Sequence, residues 1–409
     1  MTTPTAGIQV PVPEPGLTPG DMLARARGLR ELLRQEQAAT EERGHAGPEI
    51  LREFLAAGFY RTLQPRRFGG YEFDVESWYR VVMEVARGCV SSAWGLALIG
   101  GHPMQLAALF GEQAQIECFG PEGDFRAPSR AAATGRATPV DGGWHVEGTW
   151  DYCSGAPHST HFLPVVLLPG DPSPLGYAVV PREGYEVLDD WSGMLGLRGS
   201  GSNSIRVNCV VPEGWVIDTN LMAPVWPDDR PPGWEIHGNA MYSGRAAGFF
   251  DLELISISVG LVRAALDEYE TLITTRQTFA PPFMPRHEHP EYQRIYGMAS
   301  GMVAAAEGAV LMGARQYHEH CERAMAGEQP FTHEDDIRLF MQAQHANRLC
   351  VEAMDLLWRT CGSTPTKDGQ RMQRCWRDMS IIRSHFSQQF DLLAGMYSKV
   401  HFGLVEAFR

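Results

Sequence analysis

The sequence predicts an α+β protein with an N-terminal α-helical domain, a central β-barrel or sheet domain and a C-terminal four-helix bundle. Helix start and stop signals fill roughly the first 120 residues, a period of two begins near Pro128, and a period of 3.6 returns after Pro231-Pro232. The predicted boundaries are a flexible arm at 1–19, a helical domain at 20–127, a β domain at 128–235 and a bundle at 236–409.

Composition excludes several classes of protein. The formal net charge is −14, which argues against nucleic acid and anionic membrane surfaces as main partners. The eight cysteines form no C-x-x-C pair and are too sparse for a disulfide framework, and no His cluster has zinc spacing, so no metal is expected. The N-terminus lacks a basic region followed by an apolar run. We therefore expect a reduced, cytoplasmic protein.

The N-terminal domain is predicted to be a set of helices that ends in an uncharged stretch. Helices are expected over Asp21–Glu42, Pro48–Ala57, Glu76–Arg87 and Ser92–Phe119. No residue between Arg87 and Glu112 carries a formal charge, yet polar residues and glycines interrupt this stretch. A membrane span should be mostly apolar, so the favoured interpretation is a buried helix pair broken at Gly100-Gly101.

The central domain is predicted from alternating and short apolar runs. After the turn at Gly142-Gly143, the side chains that point one way are Trp144, Val146, Trp150 and Tyr152. Three further runs are closed by proline: HFLPVVLLP, GYAVVP and SIRVNCVVP, the last with one face made of Ile205, Val207, Cys209 and Val211. Short strands with this punctuation predict a small sheet or barrel.

The C-terminal region has helical periodicity. The first helix carries an apolar stripe of Leu252, Ile255, Val259, Val262, Leu266, Tyr269 and Ile273. Three more helices are expected over 291–325, 334–360 and 376–402. Four long segments joined by short loops predict an antiparallel four-helix bundle.

Four segments, in order over residues 21–409, resemble the acyl-CoA dehydrogenase fold. LQPRRFGG (63–70) is similar to a turn of that family, and GGWHVEGTWDYCSGAPHST (142–160) to the strand that lays a hydroxyl against the flavin ring. WSGMLGLRGSGSNSIRVNCVVP (191–212) resembles the family's GxRG(S/T)xS stretch, and TCGSTPTKDGQRMQRCWRD (360–378) the run before its last helix. The resemblance implies an acyl-CoA dehydrogenase-like fold.

The resemblance also separates two classes within that fold. Dehydrogenases need a carboxylate base, but their two base positions fall on Phe386 and Phe250 here, with Asp251 and Glu253 close to the second. The TEPxAGSD loop of dehydrogenases is missing, and the strand ends in Ser-Gly. In these features the chain resembles the flavin-dependent monooxygenases of this fold, such as the 4-hydroxyphenylacetate, hydroxysteroid-catabolic and dibenzothiophene enzymes.

That resemblance implies the oxygenase component of a two-component system. It would use reduced FAD or FMN, supplied by a separate NAD(P)H:flavin reductase, and O2, through a C4a-hydroperoxyflavin. The substrate would be an aromatic or polycyclic small molecule, natural products included. The chain has no G-x-G-x-x-G after a strand, so we expect no NAD(P)H oxidation by the chain alone. An acyl-CoA dehydrogenase, an amino-sugar N-oxygenase and a non-catalytic flavin-fold protein remain as alternatives.

Three residues are implied to be catalytic, each with a plain alternative. Ser154 matches the flavin-facing hydroxyl, which can bond to N5 or O4, but it could be an ordinary turn serine. His385, expected in the last helix, could stabilise the oxygen intermediate or take a phenolic proton, but it could be a surface histidine. His102 could face the substrate hydroxyl, or it could cap the break at Gly100-Gly101.

The resemblance also implies a set of cofactor-binding residues. Arg276, with Phe279, matches the family's R-x-x-F after the first bundle helix, where the arginine reaches flavin phosphate across a subunit contact. A homotetramer is therefore expected, although a solvated helix-end arginine would have the same sequence. The residues expected to shape the ring pocket are Tyr152, Ser154, Trp191, Arg198, Gly199, Ser200, Gly201 and Ser202.

Overall fold

Helices, strands and long helices follow one another along the chain, in the order that the sequence predicts. The structure is a computed structural model and describes residues 9–172, 174–221, 223–226 and 230–404. The first part contains α1 (Pro19–Gly28), α2 (Arg30–Gln35), α3 (Gln37–Arg43), α4 (Pro48–Ala57), α5 (Val75–Gly88), α6 (Val90–Gly100), α7 (Pro103–Leu109) and α8 (Glu112–Phe119).

The first predicted helix is three short ones, and the predicted arm is partly packed. Backbone turns at Leu29 and Glu36 divide the segment, and Gly44 ends it with a φ of 85°. Of the predicted arm, residues 1–8 lie outside the described residues. Val10 is 5% exposed, and its N–H donates to the carbonyl of Arg67 at 2.9 Å, so the prediction of a free arm is wrong there.

The uncharged stretch forms the buried helices α6 and α7, as predicted. The chain breaks between them at Gly101-His102. A Cβ atom at Gly101 would lie 2.4 Å from the Oε1 atom of Glu253, so only glycine fits at this point. The break therefore lets a carboxyl group of another helix approach the backbone closely.

The central part is a mixed sheet. Its strands are β1 (Ser129–Val140), β2 (Gly143–Trp150), β3 (His161–Leu167), β4 (Leu175–Ala178), β5 (Val180–Pro181), β6 (Tyr185–Val187), β7 (Ile205–Pro212) and β8 (Val216–Asp218). The order is β6-β7-β2-β1-β3-β4-β8, with β5 paired to β3. Strands β1 and β3 are parallel, and the other pairs are antiparallel.

The strand faces follow the predicted alternation, with one difference. Ile205, Val207 and Val211 are buried on one side of β7. Strand β2 ends at Trp150, however, so Tyr152 does not continue its buried face. Tyr152 has a φ of 55° and is 53% exposed, because the chain turns there toward Gly155.

The last part contains α9 (Pro232–His237), α10 (Ala247–Thr275), α11 (Pro290–Met325), α12 (His333–Thr360), α13 (Arg371–Ile382) and α14 (Phe390–His401). All seven residues of the predicted stripe on α10 are buried, where α10 packs against α5, α11 and α12. The predicted helix over 376–402 is wrong, because the chain leaves helical geometry between α13 and α14. There the Nδ1 atom of His385 accepts from the N–H of Ser387, which replaces a helical bond with a side-chain bond.

Helix α11 has a long apolar face that its own chain leaves uncovered. By length and composition it is the one helix among the described residues that could cross a membrane, and 28% of its apolar window is buried. Such a face is equally typical of a helix that packs against another subunit.

Candidate active site

A cavity of about 390 Å³ lies where the three parts of the chain meet, within the usual ~300–1,000 Å³ range of small-molecule sites. It brings together all three residues predicted to be catalytic, His102, Ser154 and His385, with Tyr152 and Trp191 from the predicted cofactor-binding set. Its walls include Trp94, Leu98, His102, Ser129, Arg130, Tyr152, Ser154, Trp191, Ser202, Phe250, Asp251, Glu253, Leu254, Ser384, His385, Phe386 and Ser387.

One wall carries a cluster of three buried hydroxyl groups, from Ser154, Ser200 and Ser202. The indole N–H of Trp94 donates to the Oγ atom of Ser154 at 2.9 Å. The Oγ atom of Ser202 lies 2.8 Å from that of Ser154 and 2.7 Å from that of Ser200. A hydroxyl can donate and accept at once, so this hydroxyl cluster can adjust its protons to a ligand.

The local sequence explains why Ser154 faces the cavity. Gly155 has a φ of 79°, and a Cβ atom there would lie 2.6 Å from Ile99. The N–H of Gly155 donates to the carbonyl of Ser200 at 3.1 Å, which joins the two turns of the β domain. The Ser-Gly pair is therefore required by a tight turn packed against α6.

His385 lies in the loop between α13 and α14, and not in a helix as predicted. Its Nδ1 atom is 2.9 Å from the Oγ atom of Ser387, and its ring meets the Trp94 ring edge-on at 5.8 Å between centroids. Burial, and then the nearby charge of Arg130, lower the pKa of His385 to about 4. The imidazole is neutral at physiological pH.

His102 is 3% exposed and precedes the first residue of α7. Its Nδ1 atom lies 2.8 Å from the carbonyl oxygen of Ala127, and its ring is 5.0 Å from that of Phe250. Burial lowers the pKa of His102 to about 4. Both the functional and the structural interpretation fit, because the same ring bonds to the backbone and lines the cavity.

Asp251 is a buried carboxyl group beside the His385 loop. It is 1% exposed and accepts hydrogen bonds from the side-chain amides of Gln344 at 2.6 Å and Gln388 at 2.8 Å. The Ser387 hydroxyl adjoins it and favours its ionised form. Burial outweighs these bonds and raises the pKa of Asp251 to about 7.

Glu253 is a second buried carboxyl group, on the side of α10 that faces α6. It is 1% exposed and accepts from the indole N–H of Trp78 at 2.5 Å. Burial raises the pKa of Glu253 to about 8, so the group holds a proton at neutral pH. A neutral carboxyl group is a poor base, and its remaining oxygen offers a hydrogen bond to the cavity.

The mouth of the cavity is aromatic. The rings of Tyr152 and Trp191 meet edge-on at 5.9 Å, and the guanidinium of Arg130 lies 6.0 Å from the Tyr152 ring while pairing with Asp151 at 3.1 Å. The left-handed backbone of Tyr152 costs about 1–3 kcal/mol, which is typical of functional sites.

Six predicted cofactor-binding residues, Gly201 included, do not line the cavity. One of them, Ser200, is linked to it through the hydrogen bond of its hydroxyl to Ser202. Arg198 is exposed and donates from Nε to the carbonyl of Met194 at 2.8 Å. Gly199 is needed because a Cβ atom there would lie 2.3 Å from the side chain of Thr40. Arg276 and Phe279 follow the far end of α10, and Phe279 is 88% exposed.

Sequence reasoning missed some cavity residues. Trp94 completes the hydroxyl wall, and Arg130 lies at the mouth. Ser202, also in that wall, belongs to the Gly-Ser run that was expected to shape the ring pocket. The signal for Trp94 was an indole in an uncharged, buried helix, where its N–H needs an acceptor.

The residues present fit a flavin ring. The walls offer aromatic surfaces from Trp94, Trp191 and Tyr152 for a flat ring system, and the hydroxyl cluster supplies donors and acceptors for ring nitrogen and oxygen atoms. Both cavity histidines are neutral at physiological pH. Arg130, at the mouth, carries a permanent positive charge.

Comparisons with known proteins identify the family. The family models for the acyl-CoA dehydrogenase N-terminal domain and the acyl-CoA dehydrogenase C-terminal domain match residues 24–122 and 254–390, together more than half of the chain. The chain belongs to the acyl-CoA dehydrogenase family. The predicted fold class is thereby confirmed.

Its relatives within the acyl-CoA dehydrogenase family are oxygenases. The oxygenase subunit HsaA of a flavin-dependent monooxygenase from Rhodococcus jostii is 28% identical over 93% of this chain and 98% of the relative. The oxygenase component of p-hydroxyphenylacetate 3-hydroxylase from Acinetobacter baumannii is 21% identical over 95% and 91%.

Solved structures of the family lead to the same class. A 3-HSA hydroxylase from Rhodococcus sp. RHA1 has a TM-score of 0.84 and 27% identity, covering 95% of this chain and 98% of that one. XiaF from Streptomyces, solved with FADH2, shares the fold at a TM-score of 0.84 and 19% identity over 96% and 97%. This member of the acyl-CoA dehydrogenase family is therefore a flavin-dependent monooxygenase, as its sequence motifs predicted.

Proposed function

We propose that the chain hydroxylates an aromatic or polycyclic small molecule in the 390 Å³ cavity, as the oxygenase component of a two-component system. The observation that carries the proposal is the meeting of the Ser154 hydroxyl and the neutral His385 imidazole on either side of Trp94. Bound reduced flavin supplies the electrons that activate O2. A separate NAD(P)H:flavin reductase supplies the reduced flavin.

Ser154 holds the flavin ring at the hydroxyl wall. Its Oγ atom already accepts from Trp94, and it can turn its own proton toward the cavity or toward Ser202. A hydrogen bond at a ring nitrogen orients the reacting face and limits the access of water.

His385 exchanges a proton with an oxygen atom in the cavity. It accepts at Nδ1 from the loop backbone, which leaves Nε2–H as its donor. A neutral imidazole can donate this proton without placing a charge beside an apolar substrate. His102 and Phe250 form another part of the cavity lining, where a substrate hydroxyl would bond to His102.

The state of the two buried carboxyl groups argues against the dehydrogenase alternative. Asp251 and Glu253 do line the cavity, as that alternative required. The pKa of Glu253, about 8, keeps it protonated at neutral pH, and Asp251 is held by two amide donors. A dehydrogenase base must instead be ionised and free to reach an α-proton.

The test is oxygen uptake by the purified chain with chemically reduced FAD or FMN and a panel of phenols, polyketide quinols and aminosugars. We expect a hydroxylated phenol or quinol, with little hydrogen peroxide, and no NADH oxidation unless a reductase is added. Reduction of the flavin by an acyl-CoA thioester without O2 would instead support the dehydrogenase. An oxidised amino-sugar nitrogen would support the N-oxygenase.

We further propose a cytoplasmic homotetramer in which Arg276 serves a neighbouring subunit. About 25 residues of α10 separate Phe250 from Arg276, which at ~1.5 Å per residue is roughly 38 Å along the helix. Arg276 therefore lies too far along α10 to contact the cavity of its own chain. The uncovered apolar face of α11 supplies a surface for subunit packing.

Sedimentation at micromolar concentration should give a tetramer. Arg276→Ala should keep that tetramer and weaken reduced-flavin binding by about 10- to 100-fold, the scale of a lost charge-assisted bond. Arg294→Ala, which removes an exposed arginine paired with Glu291 on α11, is the control and should bind flavin normally. A monomer would contradict this assembly.

A further inference from the structure

The loop that carries His385 contains an arrangement of three side chains that the proposed function does not use. The Oγ atom of Ser387 is 2.9 Å from the Nδ1 atom of His385. The same hydroxyl adjoins the carboxyl group of Asp251 and lowers its pKa, and the Gln388 amide donates to both groups. Asp251 thus connects to the cavity histidine through one hydroxyl, although it lies on α10 and the histidine on the loop.

The hydrogen bonds around His385 determine which of its ring nitrogen atoms carries the proton. The backbone N–H of Ser387 can only donate, and it lies 3.3 Å from the Nδ1 atom of His385. Nδ1 is therefore the acceptor, and the proton of the neutral ring is on Nε2. The Ser387 hydroxyl can then donate to Nδ1, which leaves its lone pairs for a proton from Asp251.

The surroundings keep Asp251 able to hold that proton. Among the described residues no Lys, Arg or His forms an ion pair with it, and its polar partners are the amides of Gln344 and Gln388 and the hydroxyl of Ser387. The Gln388 amide also donates to Ser387 at 3.0 Å, which keeps the hydroxyl beside the carboxyl group. Burial without a cation raises the pKa of Asp251 to about 7.

We propose that Asp251 passes a proton through the Ser387 hydroxyl to Nδ1 of His385 as Nε2–H gives its proton to an oxygen atom in the cavity. The carboxyl O–H bond breaks as a new O–H bond forms on Ser387, and the former hydroxyl proton of Ser387 moves to Nδ1. The products are an Asp251 carboxylate and a neutral His385 protonated at Nδ1. The proton that leaves the substrate ring after hydroxylation returns to Nε2 and reverses the sequence.

The catalytic role of this proton path rests on the proposed function, but the coupling of Asp251, Ser387 and His385 can be tested without flavin or substrate. Difference infrared spectra of wild type minus Asp251→Asn isolate the carbonyl band of protonated Asp251, and its intensity against pH gives the titration. We expect His385→Ala and Ser387→Ala each to shift this titration. We expect the double variant to shift it no further than one of them, because the two residues act through one path.

The control for this measurement is His102→Ala, which removes the other neutral cavity histidine and should leave the Asp251 titration in place. Other groups around Asp251 and His385 remain unchanged in all variants: Arg130 of β1, Glu253 of α10, and Asp336 and Arg348 of α12. An unchanged Asp251 titration in His385→Ala and Ser387→Ala would overturn the proposal.

The second measurement is product formed per O2 consumed between pH 6 and 9, with the phenol that the panel selects. Wild-type yield should fall as Asp251 ionises above about pH 7. Ser387→Ala should lower the yield by about tenfold and flatten the profile, while Ser387→Thr, which keeps the hydroxyl, should restore both. A Ser387→Ala enzyme with wild-type yield and profile would overturn the proposal. Parallel loss of flavin binding in both variants would assign the serine to loop structure alone and would also overturn it.

Discussion

The two main walls of the cavity are held in place by different bonds. Backbone bonds join the turns of the hydroxyl wall, from Gly155 to Ser200 at 3.1 Å and from Ala156 to Gly201 at 3.2 Å. The bonds that connect the His385 loop to α10 and α12 are instead made by side chains, such as Gln344, which donates to the Ser387 carbonyl at 2.5 Å. A backbone-held wall keeps its shape when one side chain changes, whereas the loop wall depends on its side chains.

The walls also differ in their ionisable groups. The hydroxyl wall contains serines and Trp94, which do not titrate near neutral pH. The loop and α10 contribute His385, Asp251 and Glu253. Burial lowers the pKa of His385 and raises the pKa of both acids, which favours the neutral form of each group. We therefore propose that proton transfer takes place at the loop and α10, and that the β domain orients the ring.

The largest effect is expected at the loop wall, from His385→Ala. Loss of a positioned acid or base should lower hydroxylation by about 10²–10⁴-fold while O2 is still consumed and released as hydrogen peroxide. Product and peroxide are measured together with reduced-flavin affinity, which should stay near wild type. His401→Ala, an exposed histidine of α14 paired with Glu334, is the control. If His385→Ala keeps the wild-type product yield, His385 does not transfer a proton in the reaction.

A second test asks whether α10 keeps a neutral acid in the cavity. The pKa of Glu253 is about 8 in the folded protein and its usual value is 4.5, so between these values the unfolded chain has lost a proton that the folded protein retains. Stability is therefore lost as pH rises through this window. Glu253→Gln cannot titrate, so its stability relative to wild type should increase from pH 5 to pH 8, by a few kcal/mol at the order-of-magnitude level.

Urea unfolding at pH 5, 6.5 and 8 checks this expectation. The matched control is Glu319→Gln, an exposed change on α11 that should show no trend with pH. A constant difference between Glu253→Gln and wild type across the three pH values would mean that Glu253 is ionised in the folded protein.

The smallest effect is expected at the hydroxyl wall, from Ser154→Ala. One neutral hydrogen bond contributes about 0.5–1.5 kcal/mol, so product yield should fall by roughly threefold to tenfold, with more peroxide. The profile against pH should not change, because no titrating group is lost. Ser398→Ala, a surface serine of α14, is the control. A loss as large as that of His385→Ala would place Ser154 in proton transfer as well.

The sequence by itself determined the order of the three parts, the buried break after Gly100, the apolar stripe of α10 and the class of enzyme. Each of these depends on local signals: periodicity, glycine and proline punctuation, and motifs read over a few residues. Ser154 was predicted from a motif too, because its position matches the hydroxyl that the resembled family lays against the flavin ring, and it lies in the cavity wall.

Only the tertiary structure decided what surrounds the reacting residues. The sequence placed His385 in a helix, because its neighbours have helical periodicity, but Asp251 and Gln344 are 134 and 41 residues away and draw the loop out of the helix. The roles of Asp251 and Glu253 were open for the same reason. A pKa depends on burial and on partners from distant segments, and no short stretch of sequence contains that information.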